Sequence, residues 1–333
     1  MELLRAVCMG EAHQFGLFGG WDMSRIWQFF RTKPLNVLLL ALPLALAAEL
    51  GHWGSTWIFV LSTIGIIPLA GLIGEATEAL AAYTGPRIGG LLNATLGNAA
   101  ELIITLVAIR AGLLDLVKAS ITGSILGNLL LVMGLSMVVG GIKNGMQHFD
   151  RRQAGNNAIL LTLVVIAIMI PSIFSHSIGP EASVGVESLS LGVAGVMILL
   201  YGLGLFYSLR TPKGPLTYEI KESVHHKPEM SKTAALVLLG LATAGVVWMS
   251  EMLVGEVEAV GHGLGLSEFF LGIILIPVIG NVAEHLVAVQ VAQRNQMELS
   301  IEIAVSSSLQ IALFVAPLLV FVSLLMGHPL TLV

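Results

Sequence analysis

The chain has 333 residues, 56% of them hydrophobic and only 11% charged, where an average soluble protein carries about 25% charged residues. A formal charge of -5, no basic aromatic-rich stretch and a single cysteine, Cys8, exclude a nucleic-acid partner, an intramolecular disulfide and a thiolate metal cluster. The composition is that of an all-α polytopic membrane protein whose partner is the lipid bilayer, and its 37 glycines suit closely packed transmembrane helices.

Residues 1–33 are mixed, with no apolar stretch of signal-peptide length, and Met23 opens an alternative start. Arg25, Arg31 and Lys33 precede the first apolar run, which assigns this segment to the cytoplasm. The runs that follow predict spans over roughly 34–50, 55–83, 88–111, 116–141, 156–175, 185–208, 233–261, 266–292 and 298–327, about nine in all. Under the resulting alternation, inside loops carry Lys143, Arg151 and Arg152, then Arg210, Lys213, Lys221, Lys227 and Lys232, then Arg294. Arg110 and Lys118 run against the pattern, yet the bias still favours an inside N-terminus in a plasma (inner) membrane. The runs 55–83 and 233–261 exceed about 20 residues and require tilt or an extension beyond the bilayer. Residues 209–232, opened by Pro212 and Pro215 and then charged, form a cytoplasmic linker. The chain thus divides into an N-terminal segment (1–33), an N-terminal helix (34–50), a first membrane repeat (51–208), the linker (209–232) and a second membrane repeat (233–333).

The repeats announce themselves in one motif. Gly97-Asn98-Ala99-Ala100-Glu101 lies inside the oily run from Ile88 to Ile109, and Gly280-Asn281-Val282-Ala283-Glu284 lies inside the run from Phe269 to Ala292. The same shift of 183 (280 minus 97) carries Ser124 onto Ser307. The first motif-bearing span starts inside and the second outside, so the repeats are inverted, an architecture of secondary transporters with a midplane site at the repeat interface. Two spans follow Ser124's span in the first half and none follows Ser307's, which reads as a truncated second repeat.

An intramembrane carboxylate is costly and marks an ion or proton path by default. Glu101 and Glu284, with the amides of Asn98 and Asn281 three residues earlier, offer hard oxygen ligands that suit Ca²⁺; the plain alternative is a pair of neutral carboxyls that join helices. Ser124 and Ser307 add hydroxyls, or serve only close packing. Asn128 and Gln310 stand four residues after Ser124 and Ser306 but do not superpose under the repeat shift. Glu78 and Glu258 either line entry vestibules or are solvated helix ends. His285 either carries protons beside Glu284 or packs as a hydrogen-bonded ring.

The motifs at 97–102 (Gly-Asn-Ala-Ala-Glu-Leu), 280–285 (Gly-Asn-Val-Ala-Glu-His) and 308–315 (Ser-Leu-Gln-Ile-Ala-Leu-Phe-Val) resemble those of the Ca²⁺/H⁺ exchanger family within the cation/Ca²⁺ exchanger superfamily. The resemblance runs from about residue 34 to the end, and Gly-Asn in place of Gly-Thr-Ser places it in the proton-coupled branch. It implies inverted helical repeats behind one N-terminal helix, eleven spans in the full family fold, and Glu101 and Glu284 as shared Ca²⁺/H⁺ carboxylates. The expected protein is a Ca²⁺/H⁺ antiporter that needs no cofactor, exports cytosolic Ca²⁺ by alternating access, and is not an enzyme. The rivals are exchange of another divalent cation, a Na⁺-driven exchanger, and a passive cation channel. No His-Glu-x-x-His supports an intramembrane hydrolase. Homo-oligomer formation stays open.

Overall fold

The computed structural model describes residues 33–180, 183–210 and 230–333. Residues 1–32, including Arg25 and Arg31, lie outside the described residues, as does 211–229 of the expected linker with Lys213, Lys221 and Lys227. Every regular element among the described residues is helical.

In chain order these are α1 (Pro34–Leu50), α2 (Ser55–Gly85), α3 (86–96), α4 (Ala99–Arg110), α5 (Leu114–Asn144), α6 (Arg151–Ile178), α7 (Val184–Arg210), α8 (Lys232–Leu264), α9 (Glu268–Gln293) and α10 (Met297–Leu325). Seven of them, α2 and α5 to α10, are long and apolar enough to cross a membrane. The chain is an integral multi-pass membrane protein.

Side-chain capping marks several starts. Asp150 accepts from the backbone N–H groups of Arg152 and Gln153 before α6, Ser231 from Ala234 before α8, and Ser267 from Phe270 before α9. Each satisfies N–H groups that a first helical turn leaves without an intrahelical partner. At the other end of α9, the carboxamide of Asn144 donates to the carbonyls of Ala292 (3.1 Å) and Gln293 (3.2 Å). Gln147 adds a third donation, 2.9 Å, to Ala292.

The oily run 88–111 is not one continuous helix. α2 gives way to α3 at Gly85, whose φ of 79° is a conformation that side chains with a Cβ rarely adopt. A second break falls at Gly97 and Asn98, and Asn98 occupies the N-cap of α4 with φ -106° and ψ 27°. In the other half, Asn281 lies within the uninterrupted helical stretch Ile276–Gln293. Three stretches widen to π-helical turns: Gly127–Val132 in α5, Leu271–Leu275 in α9 and Ile311–Val315 in α10. Two of these open one turn beyond Ser124 and Ser307.

Apolar faces then decide the packing. α2 lies along α8, and α9 packs against α2, α5 and α10. Ile66, Ile73, Ile104, Met249, Leu253, Ile276 and Leu319 belong to one buried core drawn from both halves of the chain. α6 and α7 are peripheral. Leu163, Ile166, Ile173, Leu199 and Phe206 are exposed there, as expected of surfaces that meet acyl chains rather than water.

Candidate cation site

The breaks and crossings bring α4, α5, α9 and α10 together around two carboxylates. Glu101, in the first turn of α4, is 3% exposed. Its Oε1 accepts from the Ser124 hydroxyl on α5 and from the Asn281 carboxamide on α9, while Oε2 is buried with no partner. Asn281 also donates 3.1 Å to the Pro277 carbonyl of its own helix, which fixes the amide's orientation.

Gly280 explains how α9 comes so near. A Cβ built on it would stand 2.6 Å from Cγ of Glu101. Only a glycine lets the backbone of the second motif rest against the carboxylate of the first.

Glu284 sits in the middle of α9, close enough to Glu101 for their charges to repel, with the Ser307 hydroxyl beside it. Its Oε2 is also buried without a partner. The neighbouring polar groups are bonded to one another: His285 Nε2 to Asn128 Oδ1 (3.0 Å), Asn128 Nδ2 to Ser307 Oγ (3.0 Å), Ser307 Oγ to Asn98 Oδ1 (3.1 Å), and Asn98 Nδ2 to Gln310 Oε1 (2.8 Å). Asn98, Asn128, Ser124, Ser307 and Asn281 are all buried.

Nine of the residues singled out from sequence therefore meet in one cluster: Glu101, Glu284, Asn98, Asn281, Ser124, Ser307, Asn128, Gln310 and His285. Asn128 and Gln310 belong there although they do not superpose under the repeat shift. Glu78 and Glu258 are exposed, in contrast to the buried and half-buried cluster. Ser306, grouped with Gln310 by spacing, turns its hydroxyl back to the Ile303 carbonyl at 3.3 Å. Sequence reasoning did not assign Gly280 a role in the site; the glycine heading both motifs was the available signal.

Chemically, two carboxylates with one buried, unpartnered oxygen each, set among amide and hydroxyl groups, offer the donor set that a hard cation or protons would use. Among the described residues no group of three or more His, Cys, Asp or Glu stands in metal-binding proximity. A cation placed here would have the two carboxylates and neutral oxygens to draw on. Carboxylate charge held by buried oxygens without a counter-cation is costly, and a proton or a cation would fill that role.

A bundle of apolar helices enclosing such a centre defines a membrane ion transporter. The chain belongs to the sodium/calcium exchanger protein family, which it matches over residues 54–210 and 234–332. It is 44% identical over 308 residues to the Ca²⁺/H⁺ antiporter of Aphanothece halophytica, covering 89% of this chain and 83% of that one. To the Ca²⁺/H⁺ antiporter ChaA of Bacillus subtilis it is 44% identical over 287 residues, covering 85% and 80%. The solved structure of native YfkE superposes with a TM-score of 0.76 at 40% identity, over 90% of this chain and 85% of that one.

Proposed function

We propose that the protein is a Ca²⁺/H⁺ antiporter in which Glu101 and Glu284 bind Ca²⁺ when ionised and protons when not. The observation that carries this reading is the pair of unpartnered buried oxygens, Oε2 of Glu101 and Oε2 of Glu284, in a single membrane-embedded cluster. The antiporter names of relatives at 44% identity support the same substrates. A proton removes the charge that holds the cation, so the two compete for the same oxygens. Competition becomes exchange when the loaded site opens to one side at a time.

Asn98, Asn281, Ser124 and Ser307 complete the cation's shell, with Asn128, Gln310 and His285 behind them. Glu78 and Glu258 stand at the approaches. The duplicated motif, the matching serines and the π turns beyond them support two inverted repeats behind an N-terminal helix, with the site where they meet. Loop charges support an inside N-terminus in the plasma membrane and export of Ca²⁺ against an inward proton gradient.

The experiment is Ca²⁺ uptake into proteoliposomes with and without an imposed pH gradient, read with a pH dye in the lumen. Gradient-dependent Ca²⁺ movement with opposite proton flux is the expected result; Ca²⁺ flux indifferent to pH would sink the reading. Uptake of Mn²⁺ or Mg²⁺ in place of Ca²⁺, and replacement of the proton gradient by Na⁺, separate the neighbouring exchangers. The Glu101→Gln variant should fold and lose exchange.

A further inference from the structure

The peripheral helices α6 and α7 enclose a groove of about 850 Å³, within the size range of ligand pockets, that shares no residue with the cation site. Along α7 it runs from Ser188 to Arg210, which at 1.5 Å per residue is about 33 Å, close to the ~30 Å hydrocarbon core of a bilayer. Leu160, Leu163 and Ile170 line it from α6, and Leu313 from the π turn of α10. Apart from Ser188, Tyr207 and Arg210, every lining residue is apolar. Gly192 and Gly204 keep it open, since nothing lies within 4 Å of either Cβ position. At the Ser188 end, the backbone of Leu332 is bonded to Ser172 of α6 (3.3 Å) and to Ser190 of α7 (3.1 Å), which holds the two helices at a fixed spacing.

The charge sits at the other end. The Arg210 guanidinium lies over the Phe206 ring, 4.9 Å from its centre, so it leans along the groove wall instead of away into water. Stacked this way, its N–H edge stays free to fork onto a phosphate. Among the described residues neither ion pair, Lys33 with Glu75 nor Arg110 with Glu251, involves it. α6 begins with Arg151 and Arg152 and α7 ends with Arg210, so the antiparallel pair brings three exposed arginines to one membrane face. A lipid chain and a second copy of the protein are the two occupants that suit an apolar groove in a membrane, and charge decides between them. Copies in one membrane share an orientation, so a second copy seated here would set its own three arginines beside these. A lipid with an anionic head brings the opposite charge.

We propose that this groove binds one anionic glycerophospholipid from the leaflet on the Arg210 side, its phosphate on Arg210 and an acyl chain along Tyr207, Gly204, Leu203 and Leu200. Those α7 residues recur three and four apart and so share one face. Tyr207 stands one turn inside Arg210, at the level where aromatic rings meet headgroups. One leaflet's hydrocarbon is about 15 Å deep, roughly ten residues of α7. The chain therefore ends near Leu200 and leaves the Gly192 half of the groove to the opposite leaflet. Such a site is separate from the exchange reaction and does not depend on which cation is carried.

The test is native mass spectrometry of the purified full chain in detergent, titrated with palmitoyl-oleoyl phosphatidylglycerol and, separately, with phosphatidylcholine of the same chains. One phosphatidylglycerol per chain should be retained, and more tightly than phosphatidylcholine. Arg210→Gln should weaken phosphatidylglycerol about fivefold, the scale of one basic residue at an anionic headgroup, and leave phosphatidylcholine unchanged. Gly204→Leu fills the near half of the groove with no clash and should weaken both lipids. Gly192→Leu fills the far half, also without a clash, and should spare phosphatidylglycerol. Arg210 is an exposed helix end and the glycines are open positions, so the charge and the groove are tested by separate variants should one fail to fold. Equal retention of the two lipids by the unaltered chain would overturn the anionic assignment. Phosphatidylglycerol retention that Gly192→Leu lowers and Gly204→Leu does not would overturn the placement, and a stable lipid-free dimer would give the groove to a second copy.

Discussion

Replacing Gly280 with alanine tests the site where its tolerances are smallest. The new Cβ would stand 2.6 Å from Cγ of Glu101, where carbon atoms ordinarily rest about 3.5–4.0 Å apart. About 1 Å must be recovered, by turning the Glu101 side chain out of its two hydrogen bonds or by moving α9 away from α4. Overpacking of this kind costs about 1–3 kcal/mol. Charged to the site, that is a roughly five- to hundredfold loss of Ca²⁺ affinity, at 1.4 kcal/mol per tenfold. Calorimetric titration and proteoliposome uptake should both report it. Gly134 on α5 has nothing within 4 Å of its Cβ position, so Gly134→Ala is the control and should be neutral or up to about 1 kcal/mol stabilising. A Gly280→Ala protein with unaltered Ca²⁺ affinity and transport would refute the idea that this contact sets the Glu101 geometry.

Further expectations follow from the same geometry. Ca²⁺ affinity should fall as pH falls, by about tenfold per unit for each proton that competes with the cation; a flat affinity from pH 5 to 9 would contradict a shared site. Ser124→Ala removes a donor to the Glu101 carboxylate worth about 1.5–3 kcal/mol. It should weaken Ca²⁺ binding near neutrality, move the binding curve to higher pH and recover at alkaline pH; weakness persisting at high pH would mark Ser124 as a ligand instead. Asn144→Ala removes the side-chain donor to the Gln293 carbonyl and one of the two to Ala292, which keeps Gln147. It should cost about 1–2 kcal/mol, seen as a lower Tm with exchange retained, and an unchanged Tm would show that solvent caps α9 equally well.

Much of this was legible in the sequence because a membrane leaves few options. Long apolar runs must be helices there, since the bilayer core offers the backbone no other hydrogen-bond partners. The same rule made Glu101 and Glu284 conspicuous, for charge among oily residues has to have a purpose. Less was legible where structure turns on orientation. Spacing grouped Ser306 with Gln310, yet one position along the helix Ser307 turns inward to Asn98 while Ser306 bonds its own backbone. Periodicity also treated 88–111 as one helix, although the backbone breaks at Gly97 and Asn98. Asn128 and Gln310 looked marginal because repeat symmetry was the guide, and their positions depart from that symmetry.

The contact of Gly280 and Asn281 with Glu101 also bears on how the chain is made. Glu101 emerges from synthesis 180 residues ahead of Asn281, the donor that shares its Oε1 with Ser124. Through that interval the α4 carboxylate must wait in or beside the bilayer with Ser124 as its only matched partner, and a proton on Glu101 is the simplest way to carry it through. Insertion of α9 brings Asn281 and Glu284, and α10 then adds Ser307 and Gln310, so a nascent chain halted before α9 carries no finished path for ions.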